Sequence, residues 1–167
     1  MSTIHIADRT RPDIQASASI LGSYATKPSK VHMKGCDHLD RYLHATADLG
    51  ITYGGADKEV KLFGFSDASY IPYADSKSQL GYCFFLNTTS GAIIARSFKD
   101  STVSHSSTEA EIKALDAAIK ETLWTRGFLK EIGYEQFEPT TIYVDNEATM
   151  QSASVTPTVY LAMYPTL

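Results

Sequence analysis

The spacing of apolar residues along this chain changes near residue 60. Between residues 11 and about 48 the pattern predicts a pair of helices. Arg11-Pro12-Asp13 opens the first, with Pro12 in the first turn, where its missing N–H costs little. Ile14, Ala18 and Leu21 then recur at helical spacing up to a break at Lys27-Pro28-Ser29. Ser29 or Lys30 starts the second helix, whose apolar positions are Val31, Met33, Leu39, Tyr42 and Leu43. Gly54-Gly55-Ala56-Asp57 reads as a short linker.

Beyond residue 60 the pattern is that of strands. Val60, Leu62, Phe63 and Phe65 form a first strand ending at Ser66-Asp67, and residues 81–86 form a second. Residues 87–91 make a hairpin loop, and Ala92-Ile93-Ile94-Ala95 begins a third strand. A long helix is predicted from about Ser107 to Glu131, closed by Gly133. The β-branched run Thr140-Thr141-Ile142-Tyr143-Val144 is a fourth strand leading into Asp145-Asn146, where a last short helix starts. Three antiparallel strands, a helix, a parallel strand and a helix make an α/β domain with a mixed sheet.

The acids change the picture from fold to chemistry. Asp67 and Asp145 stand at the ends of two strands separated by a crossover helix. That connection lets the strands lie side by side in parallel, with both acids at one edge. A third acid comes from Glu109 or Glu111. At 100° per residue Glu109, Lys113, Asp116 and Lys120 share one stripe of alternating charge, the pattern of a solvated face. Glu111 falls about 200° away, with Leu115, Ala118, Ile119 and Leu123 on the face that must pack on the sheet. An acid on a core-facing stripe is costly unless something uses its charge. Glu111 is therefore the candidate and Glu109 a surface residue. Three such carboxylates suit two hard divalent cations of the kind that hydrolyse phosphodiesters, with no histidine or cysteine nucleophile needed. His105 reads as loop surface.

Composition narrows the class further. Of 167 residues, 43% are hydrophobic and 20% charged, as in a folded globular protein. No apolar run is long enough for a membrane span, and the charged N-terminus lacks the apolar stretch of a secretory signal. The expected location is therefore intracellular, cytoplasmic or nuclear. Cys36 and Cys83 have no metal-binding spacing around them and read as unpaired thiols. The net charge of −4 argues against a stand-alone nucleic-acid binder, though not against an enzyme whose acids are neutralised by metal.

Four runs in order carry a resemblance. They are Ser66-Asp67-Ala68, KSQLGYCFFL at 77–86, SSTEAE at 106–111 and Tyr143-Val144-Asp145-Asn146. Together they resemble the ribonuclease H domain of copia-type retrotransposon Pol polyproteins, and SSTEAE is highly characteristic of it. Thr10-Arg11-Pro12-Asp13-Ile14, His32-Met33-Lys34, Arg41-Tyr42-Leu43 and residues 49–53 are similar to the reverse-transcriptase end that precedes it. The resemblance implies residues 1–57 as a helical remnant of the reverse transcriptase, 58–157 as a ribonuclease-H-like domain and 158–167 as a divergent tail. It implies an endonuclease cutting the RNA strand of RNA/DNA hybrids, with Asp67, Glu111 and Asp145 holding two Mg2+ or Mn2+ ions. By position Ser107, Thr108 and Asn146 contact the RNA backbone or the 2′-hydroxyl, or serve as ordinary cap and turn residues. The partners implied are the hybrid and the remainder of a reverse transcriptase, with no membrane.

The chain also departs from that family. Where the family continues with a basic, histidine-containing segment bearing a fourth acid, residues 156–167 contain no acid, base or histidine. Ala95 and Met33 stand where the family has tryptophan. The expectation is a fold incomplete at its C-terminus and a site one ligand short, with weak or absent activity. The competing readings are a catalytically inactive remnant or scaffold module, and a related integrase or resolvase core. SSTEAE and the reverse-transcriptase-like N-terminus argue against the last.

Overall fold

The computed structural model describes residues 3–54, 59–70, 73, 75–153 and 157–164. The linker's Gly55, Ala56 and Asp57, and Val155, Thr156 and 165–167 of the tail, lie outside the described residues. The chain begins with three helices: α1 (Thr3–Arg9), α2 (Gln15–Ser23) and α3 (Lys30–Ala45), with a 3-10 turn over Pro12–Ile14. Then follow β1 (Phe63–Ser69), β2 (Lys77–Phe85), β3 (Ile94–Val103), α4 (Ser107–Glu131), β4 (Thr140–Val144), α5 (Glu147–Ser152) and β5 (Val159–Met163). Among the described residues no helix is long and apolar enough to cross a membrane.

The strands form one sheet in the order β3-β2-β1-β4-β5. β1, β2 and β3 are antiparallel neighbours, whereas β4 runs parallel to β1 and β5 parallel to β4. Side chains alternate across the pleat. Leu62, Phe84, Ile142, Val144, Val159 and Leu161 are buried in one core with Leu115, Ala118 and Leu129 of α4. Gly64 is required where β1 passes under Phe84, because a Cβ there would clash with that ring and lie 2.7 Å from the Cys83 carbonyl oxygen. At the other end of α4, Gly133 takes φ of 90° and lets Tyr134 N–H bond back to the Leu129 carbonyl, closing the helix.

Beyond shifted strand ends, such as β2 starting at Lys77 and β1 running to Ser69, three elements differ from the sequence pattern. α1 is an additional helix, and its Ala7 joins Ile14, Ala18 and Leu39 in a small core belonging to the N-terminal helices. The fifth strand is made from residues assigned to the tail. Val159 and Leu161 point into the main core and Tyr160 outward, so this stretch belongs to the sheet. On α4, Leu123 is 44% exposed, and Thr122, Thr125 and Leu129 are buried instead. The packing stripe recruits threonines, which burial-by-hydrophobicity reads as polar.

The N-terminal helices dock on the sheet through polar contacts. Gln79 on β2 donates to Ser19 of α2 at 3.0 Å and to Ser97 of β3 at 2.7 Å, and accepts from Tyr73. Asp8 of α1 accepts from Gln15 at 2.6 Å and lies 3.7 Å from Arg96.

Candidate metal centre

β1 does not stop at Asp67. β2 pairs with it as far as Ser69, while β4 leaves it after the Phe65–Tyr143 pair. Continuing that parallel register by two places sets Asp67 level with Asp145, the residue after β4. Glu111 arrives from the second turn of α4. Asp67, Glu111 and Asp145 each offer a carboxylate oxygen, and these oxygens lie within 4.8 Å of one another.

The local sequence of α4 explains which glutamate enters. Ser106 caps the helix, accepting from Glu109 N–H at 3.1 Å, while Glu109 accepts from His105 N–H at 2.7 Å. Lys113, four residues on, pairs with Glu109 at 2.9 Å and with the buried Asp100 at 3.3 Å. Glu109 is thus held in the cap, outside the cluster. Two residues further round the helix, Glu111 is buried, with 6% of its surface exposed. Its Oε1 accepts from Ala68 N–H at 3.3 Å, and its Oε2 is buried without a hydrogen-bond partner.

Burial, reinforced by Asp67 and then Asp145, pushes the Glu111 carboxyl up to about 7. Burial and Asp145 also raise Asp67. Three acids so placed repel one another. Two of them are exposed and one has an orphaned buried oxygen, a set of hard oxygen donors that suits a divalent cation. Among the described residues this is the acid cluster the structure assembles.

The other sequence-derived candidates fall around it. Ser107 is exposed and Thr108 half-buried on the turn of α4 preceding Glu111. Asn146 caps α5, its Oδ1 accepting from Thr149 N–H at 3.2 Å. His105 is exposed and outside the cluster.

Sequence reasoning missed Tyr164. Its hydroxyl donates to the Ser66 carbonyl at 3.1 Å, and its ring stacks on Phe65 with centroids 5.5 Å apart. Burial, then Asp67 and Asp145, holds the phenol above the ordinary tyrosine range, so it stays a donor. The alternation of β5 carried no signal for it, since Val159 and Leu161 point inward and Tyr164 falls on the opposite parity. A groove of about 270 Å³ runs from Asp67, Cys83 and Tyr164 to Pro12, Gln15 and Ala16 of the helical unit.

No family model matches the chain. Secreted RxLR effector protein 161 of Plasmopara viticola is 38% identical over 116 residues, which cover 69% of this chain and 80% of that protein. The retrovirus-related Pol polyprotein from transposon TNT 1-94 of Nicotiana tabacum is 34% identical over 140 residues, covering 83% of this chain but 10% of the polyprotein. The chain therefore spans about a tenth of that polyprotein's length. Among solved structures, LC11-RNase H1 isolated from compost is similar at 13% identity with a TM-score of 0.46, over 63% of this chain and 84% of that one.

Strand order, the crossover helix and the acids at the junction of β1 and β4 define a ribonuclease-H-like α/β domain. By sequence the chain is a homologue of a short stretch of the retrovirus-related Pol polyproteins of plant transposons, consistent with a ribonuclease H fragment of a copia-type Pol polyprotein.

Proposed function

We propose that this domain is a divalent-metal-dependent ribonuclease that hydrolyses the RNA strand of RNA/DNA hybrids. The observation that carries the reading is the carboxylate cluster, with Asp67, Glu111 and Asp145 oxygens within 4.8 Å and Glu111 Oε2 unpartnered. These three residues would hold Mg2+ or Mn2+, two ions in all. The chemistry that such ions would supply there is activation of a water and stabilisation of the leaving oxygen of a phosphodiester.

The chain's own residues supply position. Glu111 is fixed from beneath by the Ala68 N–H. Asp67 and Asp145 are exposed and face incoming substrate. Asn146 uses its side-chain carbonyl in the α5 cap, which leaves its amide group to donate to the RNA backbone or 2′-hydroxyl. Ser107 and Thr108, on the turn of α4 before Glu111, would serve in the same role. Residues 1–57 are read as the end of a reverse transcriptase, whose remainder would be the natural partner.

The test is cleavage of a labelled RNA/DNA duplex with Mg2+ or Mn2+. Asp67→Asn and Asp145→Asn are each expected to lower the rate by about 10²-fold or more. Activity that survives either substitution removes the site assignment. One observation favours a second reading, a catalytically silent member of the fold: the strand beyond α5 brings Tyr164 beside the cluster, and among the described residues only Asp67, Glu111 and Asp145 gather there. A folded protein that cleaves no hybrid with either metal decides for it.

A further inference from the structure

At the end of β1 the sheet has an opening. β4 pairs with β1 only as far as Phe65, then the chain turns away at Asp145 into α5. β1 nevertheless runs on through Ser66 and Asp67, supported on one side by β2. The strand beyond β4 closes the opening. β5 pairs with β4 up to Met163, and Tyr164 N–H continues the ladder by bonding the Val144 carbonyl at 3.0 Å. From there the Tyr164 side chain reaches across to β1, with its hydroxyl on the Ser66 carbonyl at 3.1 Å and its ring on Phe65.

We propose that Tyr164 is a positioning residue of the carboxylate cluster: its bond to the Ser66 carbonyl ties down the edge of β1 that β4 leaves unpaired beyond Phe65, and with it the direction of Asp67. Asp67 and Asp145 repel each other; β2 holds one edge of β1 through Ser69, but on the edge facing Asp145 the β4 ladder has ended before Asp67 is reached, and the Tyr164 bond is what spans that side. The inference rests on the reading of Asp67, Glu111 and Asp145 as metal ligands.

Mn2+ alone is the probe, on the whole chain. By calorimetric titration, Tyr164→Phe, which keeps the ring on Phe65, is expected to weaken Mn2+ binding about fivefold, the usual worth of one hydrogen bond. Tyr160→Phe, on the exposed side of the same strand, should bind as wild type. In a cleavage assay Tyr164→Phe should lower kcat and leave KM for the hybrid unchanged. Wild-type protein gives a reading that needs no variant. Substoichiometric Mn2+ should broaden the Tyr164 ring resonances and leave those of Tyr160 sharp. Wild-type Mn2+ affinity in Tyr164→Phe, an equal loss in Tyr160→Phe, or sharp Tyr164 signals beside a broadened Asp67 would each overturn the proposal while leaving the metal site standing. Wild-type protein that binds no Mn2+ sinks the metal reading itself.

Discussion

Glu111 is an unfavourable residue for the metal-free fold, with 6% of its surface exposed and one oxygen unpartnered. Its carboxyl moves from an ordinary 4.5 to about 7. Between those values the unfolded chain has released this proton while the folded chain still holds it, so metal-free stability falls as pH rises through that window and levels off above 7. Glu111→Gln should flatten that slope and stabilise the metal-free protein above pH 7 by about 1–3 kcal/mol. Urea unfolding below 4.5 and above 7 measures this, and an unchanged slope would refute the buried-acid account. Added Mn2+ should stabilise wild type most at the alkaline end, where the carboxylates are ionised. The three acids were legible in sequence because strand ends and a helical wheel locate them. Tyr164 was not, because its role depends on a bond across three strands that no local pattern encodes.

At the scale of elements, most of the sheet was readable from alternation and turn residues, and α4 from its cap and closing glycine. What escaped were pieces without contrast. α1 has seven residues and a single buried side chain, Ala7, too little periodicity to recognise. β5 reads VYLAM, an unbroken apolar run in which inward and outward positions look alike. Leu123 was misplaced for the opposite reason: the stripe that packs passes through Thr122 and Thr125, whose hydroxyls disguise them. The standing of β5 is testable. Leu161 sits in the main core at 8% exposure, so Leu161→Ala should cost about 2–4 kcal/mol by denaturant titration. A loss below a few tenths would return residues 159–163 to the status of a loose tail.

As a whole the molecule is a sheet domain with a small helical unit attached by hydrogen bonds. The two keep separate apolar cores, and Gln79 stands at their junction. Among the described residues β5 is also the outermost strand on one side of the sheet, and Val159–Met163 contains no charged residue while Tyr160 is 62% exposed and Met163 43%. Outermost strands are ordinarily guarded by lysine, proline or a bulge, since a free row of backbone donors and acceptors recruits a like segment from another molecule. Concentrated samples should therefore self-associate flank to flank in a dose-dependent manner visible by light scattering, and Tyr160→Lys should suppress it. A monodisperse wild type at high dose would mean that this flank is shielded. The same short strand that extends the sheet beyond β4 is thus the molecule's route to insolubility.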